Sequence, residues 1–444
     1  MPTIRPVKIA DLLPPLTIET LVNGGSGLAR YAGRVVFIPH TAVGDVVISR
    51  VTRVKKSFLE AEIGEIVESA AVRRQPRCLV AGACGGCQWQ HLPYQEQLHW
   101  KDTLFRDTLV RRCHIDSSKV LPVLPAPQEW GYRSRIQIKC TLQNGIFVTG
   151  FYRPKSHDVV AIDHCPLIAE ELNNLLSSLR EVLAVSAYRA DVTQIDLTID
   201  DRKRCGAVIH YCGQKLAALA DDLQVANLGA EILLKSTDSR TLLPVVGDGI
   251  YQIEVGQPLM PLSYAAGSFA QINLDQNRVM VQKVLECADL RGTETVVDLF
   301  CGMGNFSLPL AGQSKAVIGV EGSSSSIAMA KNNCHANRIE NATFYNRSAS
   351  GALPFLKQRG PVDLVVLDPP RSGAAAVVNE LIQSPVKKVV YVSCDPQTLA
   401  RDLNILVKGG YELVSSQSLD MFPQTYHCES ITVVEWGGQI PGTV

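Results

Sequence analysis

Aromatic residues are scarce in this 444-residue chain, at 6%, while apolar residues make up an ordinary 46%, so the composition is that of a soluble globular protein. Long apolar runs are missing as well. None approaches the roughly 18 residues of a membrane span, so no membrane partner is expected. Met1-Pro2-Thr3-Ile4-Arg5-Pro6 lacks the apolar core of a secretory signal. The thirteen cysteines therefore read as thiols of a reducing cytoplasm, kept for metal binding or catalysis rather than disulfides. No internal repeat or low-complexity segment occurs. The length suffices for two or three domains with sizeable cores.

Net charge is absent too, because 43 Lys and Arg balance 43 Asp and Glu. Taken alone, that argues against a nucleic-acid partner. The distribution argues the other way: residues 1–140 hold 19 Lys and Arg against 12 Asp and Glu, and the remainder carries the opposite excess. Such asymmetry suits an N-terminal half that grips a polyanion, with a solvated basic face as the alternative.

Residues from about Pro15 to Val67 alternate apolar and polar positions in short runs broken by glycine. Ala32–Pro39 and Gly44–Val51 are the clearest strands, and Asn23-Gly24-Gly25-Ser26-Gly27 is a turn. Five short strands in this span predict a small barrel of the oligonucleotide-binding kind. Arg50, Arg53, Lys55 and Lys56 beside Phe58 suit phosphate contacts and one stacking ring. A mixed region follows, with strands near Arg133–Thr141, Gly145–Tyr152 and Gln194–Ile199 and a helix over about Tyr94–Arg112. From about Ser268 strands and helices alternate. Val296–Leu299, Ala316–Val320, Asp363–Leu367 and Lys388–Val392 are near-continuous apolar runs, which predict parallel strands buried on both faces between helices.

The ends of those runs carry the chemistry. Asp298-Leu299-Phe300-Cys301-Gly302-Met303-Gly304-Asn305-Phe306 places two glycines where backbone can approach a ligand, although no third glycine completes a dinucleotide fingerprint. The next run ends in Glu321, placed to accept hydrogen bonds from ribose hydroxyls. Asp368-Pro369-Pro370-Arg371 is a stiff turn whose carboxylate could take the N3–H of a uracil. Cys394, in Ser393-Cys394-Asp395-Pro396, and Glu429, in His427-Cys428-Glu429, supply a thiol and a carboxylate. That is what C5 chemistry on a pyrimidine needs: a thiolate to add at C6 and a base to remove the C5 proton.

Cys78, Cys84 and Cys87, with the distant Cys165-Pro166, form a set of four thiols suited to zinc or an iron–sulfur cluster. Five residues separate the first two thiols, whereas a radical enzyme would have three. Cysteines 113, 140, 205, 212, 287, 301, 334 and 428 read as small core residues.

Taken with Ser268-Phe269-Ala270-Gln271-Ile272-Asn273 and Asp420–Ser430, these motifs stand in an order and spacing that resembles the RNA uracil-C5 methyltransferases using S-adenosylmethionine. The resemblance is dense over about the last 180 residues and, with the cysteines, covers most of the chain. It implies Cys394 as nucleophile, Glu429 as base, and Gln271, Phe300, Asn305, Glu321 and Asp368 as cofactor-binding positions. Where the family often has Asn or Asp, this chain has Ser348 at the aligned cofactor position. His427 would orient its loop. The four thiols, Cys78, Cys84, Cys87 and Cys165, would hold a [4Fe-4S] cluster in a structural or RNA-positioning role.

The implied fold is α/β: an N-terminal small β-barrel (OB-like, TRAM) over 1–72, a central α/β cluster-bearing domain over 73–267, and a C-terminal Rossmann-like doubly wound methyltransferase domain over 268–444. The segment at about 94–124 would pack on the catalytic domain. Within the family, a barrel together with a cluster marks enzymes acting on 23S ribosomal RNA, and the 77 residues before Cys78 favour that branch. The expected partner is that RNA, free or in a ribosome precursor, with neither DNA nor membrane, and the protein a cytoplasmic monomer. The target base would have to leave its stack. An RNA cytosine-C5 methyltransferase would show a second cysteine beside Pro369-Pro370, and a non-enzymatic RNA-binding relic would have lost Cys394 or Glu429.

Overall fold

The computed structural model describes residues 7–239 and 241–438. Met1–Pro6, read above for a leader, lie outside the described residues. The chain folds as two compact units. The first takes the described part of Met1–Leu104 with Phe151–Val160 and Phe422–His427. The second takes Phe105–Gly150, Ala161–Met421 and the described part of Cys428–Val444.

The first unit holds a six-stranded sheet in the order Leu16–Thr17, Val46–Val54, Phe58–Glu68, Arg34–Ile38, Gly27–Tyr31, Thr20–Leu21. Its edge strands are separated in sequence only by Ile18 and Glu19. Ile18 N–H donates to Asp45 O and Glu19 N–H to Leu28 O, so the two edges meet and the sheet curls into a barrel. Alternation sends Val36, Ile38, Val47, Val51, Leu59 and Ala61 inward, while Arg50, Arg53, Lys55 and Lys56 are exposed. Beneath one end, the fully buried Asp45 accepts from Ala42 N (2.7 Å), Ala70 N (2.9 Å) and the Arg73 guanidinium (2.5 Å). Burial opposes that charge, but these donors outweigh it and hold the carboxyl below its ordinary range.

The second unit contains an eight-stranded sheet in the order Ala342–Asn346, Ala316–Glu321, Thr295–Leu299, Leu364–Leu367, Lys388–Ser393, Glu429–Trp436, Tyr411–Leu419, Val120–Leu124. The first five strands are parallel, as their apolar runs predict, and Leu364–Leu367 is buried at every position. Glu429–Trp436 runs antiparallel to both its neighbours. Val120–Leu124 sits at the far edge, where Pro122 costs no ladder hydrogen bond. From Thr295–Leu299 the chain winds outward to two strands on one side, then returns to Leu364–Leu367 on the other. The order therefore reverses between these two strands, and their carboxyl ends flank the crevice where open α/β sheets bind ligands. The helix Tyr94–Cys113 supplies Phe105, Leu109 and Cys113 to the core of this sheet.

A second, mixed sheet in this unit contains Arg135–Gln143, Val192–Ile199, Cys205–Tyr211, Glu231–Ser236 and Leu243–Val246. The expected strands near Arg133–Thr141 and Gln194–Ile199 are those at Arg135–Gln143 and Val192–Ile199. Gly319 is a point of close packing near the ligand edge of the eight-stranded sheet. A Cβ there would lie 2.5 Å from the Phe344 ring and 2.9 Å from Cys301 Sγ. Gly319→Ala should therefore cost about 1–3 kcal/mol by overpacking, read as a lower urea midpoint with unchanged slope.

Candidate active site

The carboxyl edge of the eight-stranded sheet gathers the loops singled out by sequence. After Thr295–Leu299 the backbone turns through left-handed conformations at Phe300 (φ +66°), Gly302 (φ +55°) and Gly304 (φ +96°). Phe300 has a Cβ and bears strain that glycine would not, the kind of outlier that collects at ligand loops. Gly302 N–H donates to Glu321 Oε2 (3.3 Å), and Glu321 Oε1 accepts from Ser323 N (2.7 Å). The Asn346 amide donates to Glu321 O and Gly322 O (3.0 and 2.9 Å), tying the next loop to this one, with Ser348 exposed beyond it.

Asn305 exchanges two amide hydrogen bonds with Asn277, at 2.8 and 3.0 Å. Asn277 is almost fully buried on the helix Leu274–Ala288, whose N-cap Asn273 follows the half-buried Gln271 by two residues. Sequence reading missed Asn277. A buried polar residue opposite a loop amide was the signal, and it shows only once the helix has a face.

Cys394 leaves the strand Lys388–Ser393 and stands one residue before the N-cap of the helix Pro396–Lys408. Asp395 caps that helix by accepting from Gln397 N (2.8 Å) and Thr398 N (2.9 Å). Glu429 opens the antiparallel strand beside it. In the register Ser393 faces Ser430, so Cys394 and Glu429 are brought to the same end of one strand pair. Ser430 Oγ donates to Ser393 O (3.1 Å) and fixes this rung. Thus the structure gathers Phe300, Asn305, Glu321, Asp368, Cys394 and Glu429 along one edge.

Their charges form a line. Burial chiefly pushes Asp298 up to about 7; the Ser307 hydroxyl opposes this and the Glu321 charge adds to it. Burial and Asp298 push Asp368 up to about 7. Burial, then Asp368, hold Glu429 well above the ordinary glutamate range, with Arg371 opposing. Burial, Glu429 and Asp368 push the Cys394 thiol up to about 11, again against Arg371. At neutral pH the thiol is protonated. Arg371, given no role above, is the cation that favours the charged form of both Cys394 and Glu429.

The four remaining thiols divide between the units: Cys78, Cys84 and Cys87 in the first, Cys165 in the second. Cys84 Sγ accepts from Gly86 N–H at 3.4 Å, a bond that suits a thiolate ligand, while burial pushes the Cys84 thiol up. Thiolate donors fit a soft metal or cluster. Among the described residues, however, no three Cys, His, Asp or Glu side chains stand together as a metal-holding group. Of the cysteines read as core, 113, 140, 301, 334 and 428 are buried and 205 and 287 half-buried; Cys212 is exposed, in the turn after Cys205–Tyr211, and is not a core residue.

The tRNA (Uracil-5-)-methyltransferase family matches residues 94–435, and the TRAM domain matches residues 15–63. The chain is 35% identical over 425 residues to the 23S rRNA (uracil(1939)-C(5))-methyltransferase RlmD of Aeromonas salmonicida, covering 94% of this chain and 95% of that one. It is 35% identical to an uncharacterized RNA methyltransferase of Thermosynechococcus vestitus, covering 94% and 97%. Among solved structures, the tRNA (uracil-54, C5)-methyltransferase of Pyrococcus abyssi, in complex with S-adenosyl-L-homocysteine, aligns with a TM-score of 0.73 at 26% identity. That alignment covers 94% of this chain and 99% of the other.

The buried acids set a pH dependence of stability. Asp298 has an ordinary value of 3.8 and a folded value of about 7, so the folded state holds a proton that the unfolded chain releases. The associated stability is complete below about pH 4 and is lost as pH rises to about 7. Asp298→Asn should remove that loss, on the order of 4 kcal/mol. The variant is expected to melt above the parent at pH 8, with the gap narrowing as pH falls and closing by about pH 4 in thermal unfolding.

Proposed function

The chain belongs to the S-adenosylmethionine-dependent RNA uracil-C5 methyltransferases, and we propose that it forms 5-methyluridine at one uridine of 23S ribosomal RNA. The observation that carries the reading is the register that sets Cys394 and Glu429 at one end of a strand pair, beside the switch point of the sheet. The choice of RNA is supported by relatives such as those of Aeromonas salmonicida and Shewanella amazonensis, which are named as acting on uracil 1939 of 23S rRNA and are 34–35% identical. Transfer RNA is the second reading, supported by the Pyrococcus abyssi enzyme at lower identity.

In this proposal the target uridine leaves its stack and enters at the carboxyl edge. Asp368 accepts the uracil N3–H. Cys394 Sγ adds to C6, which makes C5 electron-rich. S-adenosylmethionine, when bound, supplies the methyl group that C5 takes. Glu429 removes the C5 proton, and the electron pair of that C–H bond expels the thiolate from C6. Gln271, Phe300, Asn305, Glu321 and Ser348 line the cofactor's place. The strained Gly-containing loop and the carboxylates of Asp298, Glu321 and Asp368 suit a nucleoside ligand carrying a sulfonium charge. The exposed Arg50, Arg53, Lys55 and Lys56 grip phosphates and fix register without reading sequence.

We also propose that Cys78, Cys84, Cys87 and Cys165 hold a [4Fe-4S] cluster with no part in the reaction. The donor set and its resemblance to cluster-bearing family members support this. Iron and acid-labile sulfide in anaerobically purified protein, lost together in Cys84→Ser, test it. The three-domain reading, 1–72, 73–267 and 268–444, is supported by the three large sheets, whose strands come almost entirely from these three spans in turn. A cytoplasmic monomer acting on free or precursor 23S RNA completes the proposal.

The deciding experiment incubates the protein and S-adenosylmethionine with 23S RNA transcribed with 5-fluorouridine. Fluorine cannot leave C5 as a proton, so an adduct between Cys394 and one uridine should persist in denaturing gels. An adduct on transfer RNA alone would keep the chemistry and overturn the substrate; none on either RNA would sink the covalent mechanism. On ordinary uridine RNA, Glu429→Gln should trap the same adduct, and Cys394→Ala should form none. Because the thiol must lose a proton and sits near 11, adduct formation by the parent should climb steadily between pH 6 and 9. Arg371→Gln should lower that rate at neutral pH, since the Arg371 charge favours the thiolate of Cys394.

A further inference from the structure

A network outside the reacting groups joins the two loops that carry them. Asp402, on the helix that starts two residues after Cys394, is fully buried. Its Oδ2 accepts from Tyr391 OH (2.8 Å), three residues before Cys394, and from Ala374 N (2.7 Å), three residues after Arg371. Its Oδ1 accepts from Arg401 Nε (2.8 Å), and Arg401 Nη2 donates to Ser372 O (2.9 Å). Between them Gly373 adopts φ +77°, and a Cβ there would lie 2.4 Å from Arg401 Nη2 and 2.6 Å from Asp402 Oδ2. Gly373 N–H closes the turn on Pro370 O (2.8 Å).

Every hydrogen bond that Asp402 accepts from outside its own helix thus comes from a segment flanking the reacting groups. A buried carboxylate would be expensive without such partners, and here they compensate it from three directions. We propose that Asp402, with Arg401, is a positioning residue that clamps the Asp368–Arg371 loop against the start of the Cys394 helix. The clamp keeps the Arg371 charge beside the thiol and Asp368 beside the uracil. It rests on Cys394 being the nucleophile. If the loop relaxes, Cys394 keeps the Glu429 carboxyl beside it and loses the Arg371 cation that offsets it, so addition at C6 slows. The cofactor loop at Phe300–Asn305 and Glu321 takes no part in this network, so cofactor affinity depends on the clamp through Asp368 alone.

The test measures single-turnover adduct formation on 5-fluorouridine 23S RNA, with S-adenosylhomocysteine affinity measured separately by calorimetry. Asp402→Asn and Arg401→Met are expected to slow adduct formation about ten- to hundredfold, the cost of a misplaced reacting group. Arg401→Lys should restore most of the loss of Arg401→Met, because an ammonium can still reach Ser372 O. S-adenosylhomocysteine affinity should fall much less than the adduct rate, because only Asp368 among the cofactor positions lies on the clamped loop. Parent-like rates in either variant overturn the clamp, as does a parallel fall of rate and affinity, which marks a merely structural role. If Asp402→Asn does not fold, Arg401→Met decides, since that side chain is about half exposed. A parent that forms no adduct overturns the nucleophile reading itself; a parent that forms one while the variants match it overturns the clamp alone.

Discussion

The register between the strands Lys388–Ser393 and Glu429–Trp436 is the constraint on which the site depends. Five parallel strands end at the edge where ligands bind, and a residue just past such a strand reaches that edge naturally. Glu429 reaches it differently, by opening a strand that runs the other way. A slip of one residue would turn its side chain to the opposite face. The rung is therefore pinned on both sides, by Ser430 Oγ on Ser393 O and by Ser416 Oγ against Thr432 Oγ1 at 2.7 Å, both fully buried. Hydroxyls in the interior of a sheet bring little hydrophobic stabilisation. What they add is a preference for one pairing, because any other leaves them unsatisfied.

Placing acids along that edge has an energetic consequence. Asp298, Asp368 and Glu429 are each pushed towards their neutral forms by burial, and each neighbour's charge adds to the effect. Among the described residues Asp298 Oδ1 finds no hydrogen-bond partner, and Phe300 carries a left-handed backbone. These costs concentrate where the ligand crevice opens and are offset by the apolar core beneath. There Val297, Leu299, Val365, Leu367, Val389 and Tyr391 are all but inaccessible. A folded protein keeps such strain only where the surroundings over-determine it.

Much of this architecture was legible in the sequence, for a physical reason. Strands buried on both faces must be continuously apolar, so Leu364–Leu367 and Lys388–Ser393 announce themselves, as do the loops that follow them. The helix Tyr94–Cys113 was likewise expected within a residue of its true end. Val120–Leu124 was not, because Val-Leu-Pro-Val-Leu becomes a strand only by pairing with Tyr411–Leu419, nearly three hundred residues away. The makeup of the first unit was hidden too. Gln424 lies far along the chain, yet its carbonyl accepts from Gln88 N and Trp89 N, and its side chain accepts from Arg74 and Gln97. Nothing local to Phe422–His427 specifies such partners.

The same reasoning explains which site residues escaped. Cys394 and Glu429 sit at loop and strand ends, where a chemically distinctive residue has few structural duties and stands out. Asn277 and Asp402 sit inside helices, where Asn and Asp are ordinary on a solvated face. Helical periodicity places Asp402 near Leu399, Leu403 and Leu406, all buried, so an acid there contradicts the apolar pattern of its own helix. A carboxylate on an apolar face must find donors or stay protonated. The sequence shows the conflict, and the fold resolves it with Tyr391, Ala374 and Arg401. An acid at a core position of an amphipathic helix next to a reactive loop is therefore a readable sign of a positioning network, even before its partners are known.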